Sequence, residues 1–399
     1  MKKIIFLAFL MVISASPAGA NEINISEIES KILNQSRNIQ IYLPANYHSA
    51  KQSYPVLYML DGQNYFFHGV TYQKTLKFVQ KTPDFIVVGI DMDIRKRREL
   101  LGYQSPMFLR FLKDELIPHI DSSYRTSKER ILFGWEMAGG FATQVMAETN
   151  LFDAYLLASP THISKQRIET ITPKIKSYKK DAPYLYFTQG EYESFADDFN
   201  ALLTDIAPED LNWQYTRLVN DDHHTTPYQT IYQGLRNFFS DYPPMKFYTL
   251  NDFVEFGGMQ KLKEVYKSRG QRYDISQEIH DRTQFSLLIT AIKEDNLESF
   301  DNFLTEFTKF TDEISFPVWG SDWAQFYMKH EAFNKARVVL DKALAQFPES
   351  AILHADMSDA LVGLNKKVKA KSHMKKAIEY ASLKADPRVN VYKQKLTQL

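Results

Sequence analysis

Gly134-Trp135-Glu136-Met137-Ala138-Gly139 places a carboxylate between small residues at the spacing of a nucleophile elbow. In that turn, usually G-x-S-x-G, a strand enters a helix so sharply that the middle side chain stands out at the sheet edge. The flanks must be small because strand and helix backbones approach closely, and Gly134 and Ala138 meet that demand. Glu136 stands where the serine belongs. A carboxylate that attacks an ester carbonyl forms a mixed anhydride, a poorer intermediate than a serine acyl-enzyme. Elbow carboxylates do serve hydrolases that displace a leaving group from saturated carbon, but those use aspartate. The extra methylene of glutamate shifts the attacking oxygen by roughly a bond length, which matters where alignment sets the rate. General-base action on water is another use of Glu136. A ligand pocket without a nucleophile is the bland one.

The elements that must position this residue are legible as short β-branched runs alternating with amphipathic stretches. Segments 39–43, 56–60, 86–90, 131–133, 155–158 and 184–187 read as strands, and 105–120 and 139–148 as helices. Buried strands alternating with helices predict a mostly parallel sheet covered on both faces. Asp241-Tyr242-Pro243-Pro244 then breaks the chain, and helical periodicity replaces the strand signals. Ala336, Leu340 and Ala343 recur 34 residues later as Ala370, Met374 and Ala377, and Ala324 and Tyr327 precede Ser358 and Leu361 at the same interval. Such a period, with small residues where paired helices cross, resembles tetratricopeptide repeats. Pro348 fits the end of the first repeat, whereas its counterpart is Ser382. Two recognisable repeats are few for a free-standing array.

Several segments, in order, give a family resemblance. Arg37-Asn38-Ile39-Gln40-Ile41-Tyr42-Leu43-Pro44 and Tyr54-Pro55-Val56-Leu57-Tyr58-Met59-Leu60-Asp61-Gly62-Gln63 resemble the opening strands of the putative esterase family, the α/β-hydrolase group of esterase D-like enzymes and siderophore esterases. Phe108-Leu109-Arg110-Phe111-Leu112-Lys113-Asp114-Glu115-Leu116-Ile117-Pro118 resembles the helix before its elbow, Leu151-Phe152-Asp153-Ala154-Tyr155 and Ala158-Ser159-Pro160 the strand and loop after it, and Tyr232-Gln233-Gly234-Leu235 the start of its last helix. The resemblance implies an α/β-hydrolase doubly wound sheet with leading antiparallel strands, followed here by an all-α, tetratricopeptide-like domain.

It also implies site residues. His223 matches the family's catalytic histidine, nine residues before Tyr232 with Pro227 between, and His224 stands at a usual glycine position. The acid that orients the histidine falls in Tyr184-Leu185-Tyr186-Phe187-Thr188-Gln189-Gly190-Glu191-Tyr192-Glu193, where Glu193 is favoured over Glu191, with Asp197 and Asp198 behind. The backbone amides of Met137 and of Gly62 or Gln63 are the expected oxyanion donors, and amides persist whatever the elbow side chain. Trp135 is expected on the pocket wall, and Ser159 reads as structural. Glu136 and His223 are expected to face each other as an ion pair.

Composition narrows the classes further. Met1-Lys2-Lys3, an apolar run over 4–13 and Ala18-Gly19-Ala20 have the three parts of a secretory leader. The run is too short for a membrane anchor, so an exported, periplasmic protein starting near Asn21 is expected, with no membrane span after cleavage. The expected domains are a leader over 1–20, the hydrolase over 21–244 and the helices over 250–399. Zero cysteines exclude disulfides, thiolate metal sites and a cysteine nucleophile. With Lys plus Arg and Asp plus Glu at 48 each, no electrostatic case for nucleic acid follows. The histidines 119, 162, 280, 330, 354 and 373 are scattered without metal-ligand spacing, so neither metal nor cofactor is expected. The expected ligand is a small ester or ester-like molecule, with a protein partner for the helices.

Overall fold

The computed structural model describes residues 23–312, 314 and 316–399; the leader expected over 1–20 and Asn21 lie outside them. The chain divides into two compact units, one running to Pro243 and taking in Arg269–Ser276, the other comprising Pro244–Ser268 and Gln277–Leu399. Arg269–Ser276 thus groups with the first unit rather than with the helices expected from 250 onward.

In the first unit the strands are β1 (Ile23–Ser30), β2 (Gln35–Tyr42), β3 (Tyr54–Leu60), β4 (Ile86–Ile90), β5 (Thr126–Trp135), β6 (Ala154–Ala158), β7 (Tyr184–Gly190) and β8 (Trp213–Leu218). Its helices are α1 (Gly62–Phe78), α2 (Ile94–Leu101), α3 (Ser105–Phe111), α4 (Ile117–Ser123), α5 (Met137–Glu148), α6 (Lys165–Ser177), α7 (Asp197–Ile206) and α8 (Thr226–Phe238). A single π turn, Leu112–Leu116, joins α3 to α4, so the helix expected over 105–120 is continuous but locally widened. The sheet order is β1-β2-β4-β3-β5-β6-β7-β8. β1 and β2 pair antiparallel, β2 meets β4 antiparallel, and every pair from β4 to β8 is parallel.

The central strands are apolar at consecutive positions because both faces are covered. Along β3, Val56, Tyr58 and Leu60 enter one core with Phe108, Phe141, Ile171 and Phe199 of the helices α3, α5, α6 and α7. Leu57 and Met59 enter the other, with Phe66 of α1 and Ile231 and Leu235 of α8. The alternation follows from the two-residue period of the pleat. β1 was not legible: Ile-Asn-Ile-Ser-Glu-Ile-Glu-Ser lies at the sheet edge with most of its side chains partly or fully exposed.

Order along the chain reverses at β3, whose successor β4 lies on one side and β5 on the other. In such sheets, ligands bind outside the carboxyl ends of the strands at this switch point. β3 ends at Leu60 and β5 at Trp135, which puts Asp61 and Glu136 just beyond those carboxyl ends.

In the second unit, helices Pro317–Lys329, Phe333–Gln346, Ala351–Gly363 and Lys367–Leu383 form two pairs whose starts are 34 residues apart. Ala336, Leu340, Ala343, Ala370, Met374 and Ala377 are all fully buried. Ahead of these pairs lie the shorter helices Asp281–Lys293 and Leu297–Glu306 and a separate helical turn at Thr308–Asp312.

Candidate active site

Glu136 sits between β5 and α5 with φ 56° and ψ −121°. Non-glycine residues occupy this region only under constraint, at a cost of order 1–3 kcal/mol. The constraint is a set of backbone bonds: the Glu136 amide donates to Ala158 O, and its carbonyl accepts from the amides of Gly140 and Thr161, each at 3.0 Å. At Gly134 a Cβ would lie 2.6 Å from the Ala138 carbonyl oxygen, so only glycine lets strand and helix pass here. The strained turn that presents a nucleophile is therefore fully built around a glutamate.

The Glu136 carboxylate turns to Arg97 on α2. Arg97 NH1 donates to Glu136 Oε2 at 2.6 Å. The same guanidinium grips Asp61 with two parallel bonds, Nε to Oδ1 at 2.7 Å and NH2 to Oδ2 at 2.8 Å, and NH2 also donates to the Trp135 carbonyl at 3.2 Å. Asp61 is fully buried. Thr161 Oγ1 reaches Glu136 Oε1 at 3.3 Å and lies 2.6 Å from His162 Nδ1. The expected ion pair between Glu136 and His223 is absent: the carboxylate pairs with Arg97 instead. The reason is electrostatic and geometric, since a permanently charged, pre-oriented fork outcompetes an imidazole already bonded elsewhere.

Burial works to raise the Glu136 carboxyl, but the Met137 amide, the Arg97 guanidinium and the charge of His162 outweigh it and hold the group below the usual carboxylate range. Its place at the amino end of α5 favours the anion as well. Burial opposes the charge on Arg97, yet its bonds to Asp61 and Glu136 keep the guanidinium charged more firmly than usual.

His223 meets a different carboxylate. Its Nδ1 lies 2.5 Å from Glu193 Oε1. Glu193 Oε2 accepts from the Gly190 amide at 2.6 Å and from Ser159 Oγ at 2.5 Å, and Ser159 in turn lies 2.8 Å from Thr226 Oγ1. Ser159 is fully buried and props the acid. Glu191 faces away, its Oε2 accepting from the Asn220 amide at 2.9 Å. Asp197 is taken up by Gln189 and Arg217, and Asp198 is exposed. Nε2 of His223 has no bonded partner among the described residues, and the side chain is 27% exposed.

Trp135 Nε1 donates to the His223 carbonyl at 2.8 Å, and the two rings lie 5.0 Å apart. The indole therefore anchors the histidine's loop and also packs edge-on against Tyr65. Gly62 and Gln63 open α1 directly after Asp61, where first-turn amides lack helical acceptors. A Cβ on Gly62 would come within 2.6 Å of the Gly89 carbonyl carbon, which explains that glycine. Gln63 Oε1 accepts from the Met92 amide at 2.9 Å.

Arg97 and Asp61 are the residues that sequence reading passed over. Arg95, Lys96, Arg97 and Arg98 run together, and only Arg97 of the four is not exposed. The available signal was its spacing of three and four from the buried Leu100 and Leu101, which puts it on the inward face of α2. Among the described residues no group of three or more His, Asp or Glu side chains is arranged to hold a metal ion, and no helix is long and apolar enough to cross a membrane.

A mostly parallel eight-stranded sheet with helices on both faces, a strained elbow after the fifth strand and a histidine–carboxylate pair beyond the last strands define the α/β-hydrolase fold. The family described as Putative esterase matches residues 30–234, just over half of the chain, and the chain belongs to it. The IroE-like serine hydrolase of Shewanella oneidensis is similar in structure at TM-score 0.52 and 22% identity, covering 72% of this chain and all of that one. An uncharacterised protein of Capnocytophaga ochracea is similar at TM-score 0.58 and 14% identity over 94% of this chain and 99% of that one. The uncharacterised protein YjcH of Bacillus subtilis is 27% identical over 152 residues, 36% of this chain. The chain spans 62% of the length of that curated relative.

Proposed function

We propose that this protein is an exported member of the esterase family that keeps a crevice for a small ester or ester-like ligand but has lost acyl transfer through an elbow hydroxyl, leaving its chemistry impaired or altered. The observation that carries this reading is the 2.6 Å ion pair of Glu136 with Arg97. A carboxylate neutralised by a guanidinium is a weak nucleophile, and without contact to His223 it cannot exchange a proton with that base. The same pairing counts against attack by Glu136 on saturated carbon.

What remains is consistent with residual hydrolysis by water. Glu193 holds the His223 ring by Nδ1, which leaves Nε2 to accept a proton from a water placed in the crevice. The amides of Met137 and of Gly62 or Gln63 are the groups suited to a developing oxyanion. General-base assistance of this kind supplies about 10²–10⁴-fold, well short of a complete serine mechanism. The serine hydrolase of Shewanella oneidensis, which shares the fold, supports the ancestry of such a site.

A second reading, a catalytically silent binding protein, draws on the helical unit. Its two helix pairs repeat at 34 residues, the tetratricopeptide-like spacing, and such arrays recruit protein partners through a concave face. Export into a periplasm through the leader at 1–20 belongs to both readings.

One assay separates them. Mature wild type, Glu136→Ser and His223→Ala are compared on a panel of small esters. The first reading expects slow wild-type turnover that His223→Ala removes, and a gain of about 10²-fold or more for Glu136→Ser. Wild-type turnover no greater than that of His223→Ala supports the silent protein, and fast wild-type turnover sinks both.

A further inference from the structure

Arg97 is held in a way that exceeds the needs of a structural ion pair. A guanidinium carries five N–H donors in a rigid fork. Asp61 takes two of them, the Trp135 carbonyl takes a third, and Asp61 lies fully buried beneath, so the fork cannot swing away. Its remaining edge, NH1, points to the side chain at the elbow's nucleophile position. A fixed fork of this kind matches carboxylate and phosphate oxygens. In this chain the edge is already covered by Glu136.

We propose that Glu136 is a tethered carboxylate occupying an anion subsite on Arg97, so that the crevice excludes ligands with an anionic oxygen at this point and admits neutral ones. A covalently attached group competes at an effective concentration that a free anion cannot match. Displacing it would also leave a second carboxylate beside the incoming one, since Asp61, Arg97 and Glu136 together carry a net charge of −1. Neutral esters and amides suffer neither penalty. Glu136 is on this account a specificity residue, and anionic esters are the substrate class it rejects. The inference rests on the reading of the crevice as a ligand site.

The test uses two planar isosteres, benzoate and benzamide, titrated by calorimetry or ligand-observed NMR into full-length wild type, Glu136→Gln and Glu136→Ala. Benzoate is expected to bind both variants about tenfold or more tighter than wild type, while benzamide changes by less than about threefold. Arg97→Lys in the Glu136→Ala background should reduce the benzoate gain. Equal benzoate affinity in wild type and Glu136→Gln overturns the proposal, as does a gain shared equally by benzamide, which would mean space rather than charge. Binding of benzamide alone throughout defeats the anion subsite and leaves the ligand site standing. Binding of neither by any variant defeats both.

Discussion

At the scale of single residues, the chemistry depends on which partner each carboxylate has. Glu193 is spent on His223, Asp61 on Arg97, and Glu136 on the far edge of the same arginine. The depressed Glu136 carboxyl gives a signed pH dependence. A carboxyl whose folded value lies below its unfolded one contributes stability above the unfolded value, about 4.3 for glutamate. That contribution is lost as pH falls through the folded value. Carboxyl-carbon NMR of labelled wild type should show Glu136 titrating below the usual glutamate range, and Arg97→Gln should move its midpoint upward; an unchanged midpoint would contradict the pairing. The identity of Glu136, and the candidacy of His223 and Glu193, could be read from the chain because a turn motif and ordered segments marked them. Arg97 could not, because four consecutive basic residues look alike until packing turns one inward.

At the scale of elements, the site is made by the carboxyl ends of β3 and β5, the start of α5 and the inward face of α2. The β5–α5 turn tolerates no side chain at Gly134, where the obstacle is backbone rather than a flexible tip. Gly134→Ala should therefore cost about 1–3 kcal/mol in denaturant unfolding, whereas a near-neutral outcome would show that the turn has room for a methyl group. The buried strands were legible because both faces demand apolar residues. β1 and β8 were not, since edge strands carry mixed polarity and their pairing partner decides their conformation. β5 proved longer than its apolar stretch, because Thr126–Arg130 joins the ladder with charged side chains that bond outside the core.

At the scale of the whole molecule, the 34-residue interval in the second unit was legible from recurring small and apolar residues, whereas the return of Arg269–Ser276 to the first unit was not. That segment is tied there by side chains distant in sequence: Arg272 pairs with Glu129 and Asp241, and Arg269 donates to the Tyr242 carbonyl. The helical unit also carries a buried acid. Burial pushes the Asp356 carboxyl up to about 6, against the lowering pull of its bonds to Ser321 and Gln325. A folded value above the unfolded one stabilises the protein at acid pH and ceases to do so as pH rises through about 6. The stability of wild type relative to Asp356→Asn should fall between pH 4 and pH 7 by about 3 kcal/mol at most, from 1.36 kcal/mol per unit. A difference that stays constant over this range would place the acid in water.

The proposed loss of acyl transfer depends on the absence of an elbow hydroxyl in an otherwise intact turn. A fluorophosphonate probe, which labels activated serines, applied to folded wild type, Glu136→Ser and Glu136→Ser/His223→Ala and read by peptide mass spectrometry, tests that most directly. Wild type should remain unlabelled, Glu136→Ser should be labelled at position 136, and loss of His223 should slow that labelling by about 10²-fold or more. A probe adduct anywhere in the wild-type crevice, or a folded Glu136→Ser that stays unlabelled, would contradict it.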